Sequence, residues 1–439
     1  MPVTDQDPHR SIEAVWRLES ARLLGALVRI VRDVGRAEDL AQDALVAALA
    51  QWPESGVPAN PGGWLMAVAR RRAMDGFRRD ERQDRAYAQV GQSLEQFAGD
   101  VETAVDHVED DVLRLMFLCC HPCLTSDAQV TLALRLLAGL TAKEIARSFL
   151  TSESTVGQRI TRAKRLLADA RATTEEPGQD QRAERLSAVL GVLYLLFNEG
   201  YSATAGDDWM RPALCEEALR LSRILAGLVP RGPEVHGLVA LMEIQSSRTA
   251  ARTGSDGQPV LIQDQDRGRW DRLLIRRGLA ALERAESLTA TPGTYVLQAA
   301  IAACHARAAT AHDTNWQGIA ALYAALVAVT GSPVVELNRA IALSKAYGPA
   351  AGLEVLDLLR ARPELRGYHL LPSARGRSAR PARSYRPGTR GVRAGRRHGR
   401  QRTGAGDAAE TSRGVVKVIG PQGRSLSLIT GASRGRPQS

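Results

Sequence analysis

The chain has 439 residues, more than one hydrophobic core accommodates, so two or three domains are expected. Aromatic residues make up only 4% while Ala and Leu dominate; β-branched and aromatic runs are scarce, which argues against a sheet and for an all-α protein. The net charge of +10 does not by itself mark a nucleic-acid binder, because residues 373–439 hold fifteen Arg and one Lys against Asp407 and Glu410, a charge of +14 that leaves the first 372 residues at −4.

Residues 1–11 are polar, without the charged-then-apolar order of a secretory leader. The longest apolar stretch, Leu186 to Phe197, is too short to span a bilayer, so a cytoplasmic protein with no membrane segment is expected.

In chain order, residues 11–85 read as a first helical unit. One helix is predicted from about Ile12 to Val34 and a second from Ala37 to Gln51. PESGVPANPGG (Pro53 to Gly63) reads as a loop, and a third helix runs from about Trp64 to Arg85. Residues 86–108 are polar with weak periodicity, a linker. A second helical unit spans 109–172, and TTEEPGQDQ (Thr173 to Gln181) marks its boundary. From 182 to 372 the pattern becomes Ala/Leu-rich helices divided by Pro, Gly and Asp: Ala213–Leu228, Glu234–Ser247, Trp270–Leu288, Tyr295–Ala308, Trp316–Val329 and Val334–Ala346. Helix pairs of this size suit a tetratricopeptide-like (TPR-like) array, in which each pair buries its face by stacking on its neighbours.

Residues 373–439 lack aliphatic side chains and helical period over most of their length and are expected to form a disordered basic tail. Arg/Gly/Pro/Ser richness of this kind is what a GC-rich gene yields when read out of frame, so a frameshift between about Ser373 and Gly376 is the favoured reading. The alternative is a genuine basic tail that binds nucleic acid without specificity.

Three of five cysteines sit in Cys119-Cys120-His121-Pro122-Cys123. Ligands so crowded do not readily close a tetrahedron and no second Cys/His pair follows at finger spacing, so buried thiols, no metal site and no cofactor are expected.

The most informative stretch is LTAKEIARSFLTSESTVGQRITRAKRLL, Leu140 to Leu167. Thr141 and Ser152 stand where N-caps belong, and Glu144 follows Thr141 at capping-box spacing. Val156, Ile160, Ala163 and Leu167 recur as one buried stripe. Opposite lie Ser154, Gln158, Thr161, Arg162 and Arg165, a polar and cationic face. This is a helix-turn-helix pattern, whose second helix would enter the major groove; a surface helical hairpin with solvated arginines is the plainer reading.

Upstream, RAEDLAQDALVAALAQ puts Glu38, Asp39, Gln42 and Asp43 on a polar face, with Leu40, Ala44 and Leu45 toward the core. WLMAVARRRAMDGFRRDERQDR sets Trp64 beside Arg70, Arg71, Arg72, Arg78, Arg79 and Arg82. A basic helix next to an aromatic residue and a polar loop suits melted DNA, where phosphates are neutralised and bases stack; a solvated arginine-rich helix is the alternative.

Together these segments resemble the extracytoplasmic-function (ECF) sigma factors of bacterial RNA polymerase. That family's region 2 reads like AEDLVQETF, a loop, then WLxxIARNxxxDxxRR. The chain offers Ala37-Glu38-Asp39-Leu40-Ala41-Gln42-Asp43, then Trp64-Leu65 and Val68-Ala69-Arg70-Arg71 with Asp75 and Arg78-Arg79. Its region 4 pattern is matched by Leu140-Thr141, Glu144-Ile145-Ala146, Thr155-Val156, Arg159 and Arg162-Ala163. Arg71 stands where an Asn is common and Phe149 where Leu is usual. Cys119-Cys120-His121-Pro122, Phe197-Asn198-Glu199-Gly200-Tyr201 and Asp264-Gln265-Asp266-Arg267 with Trp270-Asp271 look like the subgroup with a long TPR-like C-terminal extension. The DQDR segment fits a partner surface or a buried Asp–Arg network equally.

The resemblance implies an all-α, non-enzymatic promoter-specificity subunit with region 2 over 11–85 and region 4 over 109–172. Glu38, Asp39, Gln42 and Asp43 would dock on the clamp helices of the polymerase β′ subunit. Asn60, Trp64, Arg70, Arg71, Arg72 and Arg78 would engage and help open the minus-ten element. Ser154, Gln158, Arg159, Arg162 and Arg165 would hold the minus-thirty-five element. The extension would control activity through a protein or intramolecular partner. A stand-alone helix-turn-helix regulator with a protein-interaction domain is the rival. An enzyme is disfavoured, since no nucleophile, base and orienting group converge.

Overall fold

The computed structural model of the protein describes residues 8–83, 108–149, 151–170, 179–202, 210–255 and 257–359. The linker expected over 86–108 lies almost wholly outside these residues, and so does the tail after 373. Among the described residues there are fifteen α-helices and no strand beyond an isolated bridge between Thr253 and Pro259. No helix among them is long and apolar enough to cross a membrane.

Three helices form the first unit: α1 (Pro8–Val31), α2 (Val34–Ser55) and α3 (Pro61–Gln83). Asp33 caps α2, accepting from the Arg36 amide at 2.7 Å. The loop expected from Pro53 to Gly63 is far shorter. Pro53 lies within the last turn of α2, and Pro61 opens α3, where its missing N–H costs nothing. Asn60 caps α3 by accepting from the Gly63 amide at 2.9 Å.

The second unit comprises α4 (Val108–Cys119), α5 (Ser126–Leu136), α6 (Ala142–Phe149) and α7 (Glu153–Asp169). Both expected caps form. The Thr141 amide donates to Glu144 Oε2 at 2.8 Å and the Glu144 amide to Thr141 Oγ1 at 3.2 Å, a reciprocal capping box. Ser152 accepts from the Thr155 amide at 3.1 Å.

The two units share one core. Helix α1 packs along α4, and Gly25 permits the crossing: a Cβ there would sit 2.7 Å from the Asp111 carbonyl oxygen. Arg29 Nε donates to the buried Asp111 carboxylate at 2.8 Å beside it.

The remaining helices are α8 (Gln179–Tyr201), α9 (Pro212–Leu228), α10 (Pro233–Ser246), α11 (Arg272–Ser287), α12 (Thr294–Arg307), α13 (Trp316–Thr330), α14 (Pro333–Tyr347) and α15 (Pro349–Leu359). They pack on helices next to them in the chain or, as α10 and α12 do, one further on, as a helical array does. Helix α8 begins at Gln179, ahead of the expected 182, and lies against α4 and α5. Arg220 of α9 donates to the Leu137 carbonyl at 3.1 Å, so the array is seated on the helix-turn-helix unit. A continuous apolar cluster runs from Ile12 to Ala306, while two smaller clusters hold the end of the array.

Candidate nucleic-acid interface

Helix α7 places its residues as the 3.6-residue period requires. Val156, Ile160, Ala163 and Leu167 are buried, and Ser154, Gln158, Thr161, Arg162 and Arg165 are exposed. Arg165 makes a loose intrahelical pair with Asp169 at 3.7 Å, leaving its guanidinium in solvent. Arg159 departs from its expected place. Half-buried, it turns back toward α5, 3.8 Å from Asp127 and 3.5 Å from Thr131 Oγ1. The outward face therefore comprises Ser154, Gln158, Thr161, Arg162 and Arg165, two cations among small hydrogen-bonding side chains, which is the chemistry of a groove-reading helix.

On α2 the four polar residues do not share one face. Asp39 and Asp43 are exposed and Gln42 is half-exposed, but Glu38 is 5% exposed and points into the protein. Arg135 Nε of α5 donates to it at 2.5 Å, and Lys164 Nζ of α7 binds its other oxygen. Burial alone raises the Glu38 carboxyl, yet the Lys164 hydrogen bond and the charges of Arg135 and Lys164 outweigh it and hold the group below the ordinary carboxylate range. The expected open acidic surface is reduced to Asp39, Gln42 and Asp43, because Glu38 neutralises two cations that region 4 would otherwise bury.

Sequence reasoning missed Arg135 and Lys164. A signal existed: Arg135 stands alone as a cation in the apolar run VTLALRLLAGL, and a buried cation demands a carboxylate. It also missed Val46 and Leu49, exposed apolar side chains that continue the outward face of α2 past Asp43.

On α3, Trp64 is half-buried, edge-on to the buried Trp52 at 5.3 Å between centroids. Arg71 is exposed, while Arg72 reaches across to Asp43 at 3.0 Å and ties α3 to α2. Arg70 is half-buried, and burial together with the nearby Arg29 charge lowers its pKa; its Nε is enclosed without an acceptor. Arg70 is thus partly withdrawn from the expected DNA-facing set, since α1 covers that side of α3. Asn60 spends its carbonyl oxygen on the cap described above. The side chains of Arg78 and Arg79 lie outside the described residues.

The cysteines near α7 are thiols in apolar surroundings. Burial pushes Cys120 up to about 12 and Cys119 well above the ordinary value, while Cys123 is exposed.

Comparison with known proteins fits this geometry. Residues 16–83 match sigma-70 region 2, residues 114–167 match sigma-70 region 4, and residues 185–286 match a family of unknown function, DUF6596. An uncharacterized protein of Rhizobium meliloti is 43% identical over 366 residues, covering 82% of this chain and 85% of that protein. A probable ECF RNA polymerase sigma factor of Mycobacterium tuberculosis, SigI, is 30% identical over 183 residues, 40% of this chain and 61% of that protein. An ECF sigma factor of a Mycobacterium species, SigK, is 26% identical over 155 residues, 34% of this chain and 76% of that protein. No solved structure matches the chain. The chain belongs to one family with the Rhizobium protein along most of its length, and its matches to sigma-70 regions 2 and 4 and to ECF sigma factors at the N-terminal end support a sigma-factor role in transcription initiation.

Proposed function

We propose that the protein docks on core RNA polymerase through the outward face of α2, with Asp39, Gln42 and Asp43 facing cations on the polymerase and Val46 and Leu49 adding apolar contact. The exposed face of α7 grips the minus-thirty-five element through Ser154, Gln158, Arg162 and Arg165. Around the minus-ten element, Trp64 and Arg71 at the α3 surface are the strongest candidates. The regulator is the helical extension over 179–359.

The observation that carries the regulatory part is the Glu38 bridge. The two promoter elements lie about 25 base pairs apart, about 85 Å at ~3.4 Å per base pair. Lys164 on the promoter-reading helix touches Glu38 on the polymerase-docking helix, so one molecule in this arrangement does not span both elements. The arrangement is therefore the closed form. The extension rests on the second unit of this form, with α8 against α4 and α5 and Arg220 on the Leu137 carbonyl. Promoter binding requires the two regions to separate, and the extension sets how readily they do.

Run-off transcription with core polymerase tests this reading. The full chain should direct start-site choice on a cognate promoter and should need core enzyme for most of its DNA affinity. Tight operator binding by the chain alone, with no effect on polymerase, would support a stand-alone regulator instead.

A further inference from the structure

The extension contains a buried cationic cluster that the transcription reading does not use. Tyr201 ends α8, Arg248 and Arg252 follow α10, and Arg267 and Trp270 lie just before α11. Arg248 and Arg267 are each 9% exposed and Trp270 is 4% exposed. Both guanidiniums lie over the same indole, at 5.8 Å for Arg248 and 4.9 Å for Arg267. Arg252 stacks on the Tyr201 ring at 3.4 Å and donates to the Tyr201 carbonyl at 2.5 Å.

The DQDR segment supplies Arg267, and the buried Asp–Arg network that was one of its two expected roles does not form. Arg267 does not pair with Asp264 or Asp266. It donates to the carbonyls of His305 (2.5 Å) and Ala308 (2.7 Å) at the end of α12 and to Thr314 Oγ1 at 3.2 Å. Asp266 is spent capping its own turn, accepting from the Gly268 amide at 2.8 Å. The helix end offers Arg267 about half a negative charge, less than its own full positive charge.

Arg248 is the least compensated. Its Nη2 donates to Tyr201 Oη at 2.6 Å and meets the Gln245 side-chain oxygen, both uncharged. Its Nε and Nη1 make no hydrogen bond to the described residues and are not sealed from solvent. Among the described residues no carboxylate lies within ion-pair distance of Arg248 or Arg267. Asp313 faces Arg267 from farther off and is held by the Thr310 amide and hydroxyl at 3.0 and 2.8 Å. The neighbouring His305 is driven down to about 3 by burial and then by the Arg248 and Arg267 charges, so it adds no charge of its own at neutral pH. Arg267 Nε and Trp270 Nε1 are also enclosed without acceptors. Buried charge of one sign is ordinarily paired, and a guanidinium with a free edge, as Arg248 has, is suited to planar and tetrahedral oxyanions.

We infer that Arg248, flanked by Arg252 and Arg267, forms a binding site in the extension for a phosphate group, either inorganic phosphate or the phosphoryl end of a small molecule. A phosphate monoester carries close to two negative charges at neutral pH, matching the two guanidiniums, Arg248 and Arg267, that have no carboxylate at ion-pair distance among the described residues better than a single carboxylate would. The site is defined without polymerase or promoter, so its fate is separable from that of the transcription reading.

The test titrates the full chain, at constant ionic strength, with inorganic phosphate, phenyl phosphate and citrate, following the melting temperature and tryptophan fluorescence. A saturable rise in Tm with either phosphate is expected, together with a fluorescence change that Trp270→Phe removes. Phosphate but not phenyl phosphate marks a site for the free ion; both mark a phosphoryl-end site. Arg248→Met and Arg248→Gln should each weaken binding by about tenfold or more. Arg162→Ala with Arg165→Ala, which removes exposed cations from α7, should leave it unchanged. No saturable response of the wild-type chain to either phosphate overturns the inference, whatever the variants do. So does binding of citrate alone, or phosphate binding that the α7 variants abolish and the Arg248 variants do not.

Discussion

Glu38 of α2 and Lys164 of α7 form an ion pair that joins the proposed polymerase-docking helix to the proposed promoter-reading helix, with Arg135 completing the bridge from α5. Removing the acid leaves two largely buried cations without a counter-charge, a loss on the order of 3–5 kcal/mol for such sites. Glu38→Gln should therefore loosen region 2 from region 4. Cysteines introduced on α2 and α7 and labelled as a fluorescence pair should report a longer mean distance in the variant. Promoter binding in the presence of core enzyme should rise with it. An unchanged distance with unchanged transcription would sink the closed-form reading.

Acid should act on the same bridge. The Glu38 carboxyl titrates below its unfolded value of 4.5, so its contribution is fully present above about pH 4.5 and is lost as pH falls through the lower folded value. His305 sits at about 3 against 6.5 unfolded. Its neutral form is favoured by folding, so stability is complete above 6.5 and declines as pH drops toward 3. Thermal melts between pH 7 and 5 should show a slope that His305→Gln flattens and Glu38→Gln does not, since the glutamate acts at lower pH.

Local periodicity made much of this architecture legible. The stripe Val156, Ile160, Ala163 and Leu167 is buried as its spacing required, and Thr141, Glu144 and Ser152 cap as their positions required. Such features depend only on residues three or four apart. Glu38 and Arg159 were read outward because a helical period assigns a face and says nothing of what packs on it. The partners that turn them inward come from 97 residues away for Arg135 and 28 for Thr131. Pro53 and Pro61 punctuate the sequence like breakers, yet Pro61 stands at the first position of α3, where a proline is well accommodated, and Pro53 falls within the last turn of α2. The Arg248 cluster was invisible for the same reason as Glu38: its members are scattered from Tyr201 to Thr314 and meet only when the array stacks.

The two arginines at the outward face of α7 should separate by their roles. Arg162→Ala should cost about 1–3 kcal/mol at the cognate minus-thirty-five element and relax preference at one base pair. Arg165→Ala, farther along the helix with a solvent-exposed guanidinium, should weaken all sequences alike. It should also reduce the slope of log affinity against log salt by about 0.9, the signature of one lost phosphate contact. Binding of holoenzyme to promoter variants across a salt series reads both. Equal behaviour of the two variants would mean that α7 lies in the groove at a different rotation.

Asp39 and Asp43 remain open on α2 while Glu38 does not, so charge reversal at these two positions tests docking without disturbing the bridge. Asp39→Arg with Asp43→Arg should abolish co-purification with core polymerase and leave the melting temperature nearly unchanged. Asp43 contributes only a half-exposed pair with Arg72, worth at most about 1 kcal/mol. Retained association would move the docking surface off α2.

Gly25 offers a test of the closed form that changes no charge. In a free helix, replacing Gly with Ala favours folding by about 1 kcal/mol. Here the added methyl meets the Asp111 carbonyl carbon and oxygen at 2.8 and 2.7 Å, backbone atoms that cannot swing aside. Overpacking of this kind costs about 1–3 kcal/mol. Gly25→Ala should therefore pry α1 from α4, lower the melting temperature and disturb the Arg29–Asp111 pair that lies at the same crossing. A melting temperature raised to the extent expected for a solvent-exposed glycine would mean that α1 and α4 are not in contact in solution. The Glu38 bridge would then lose the scaffold that brings its three residues together.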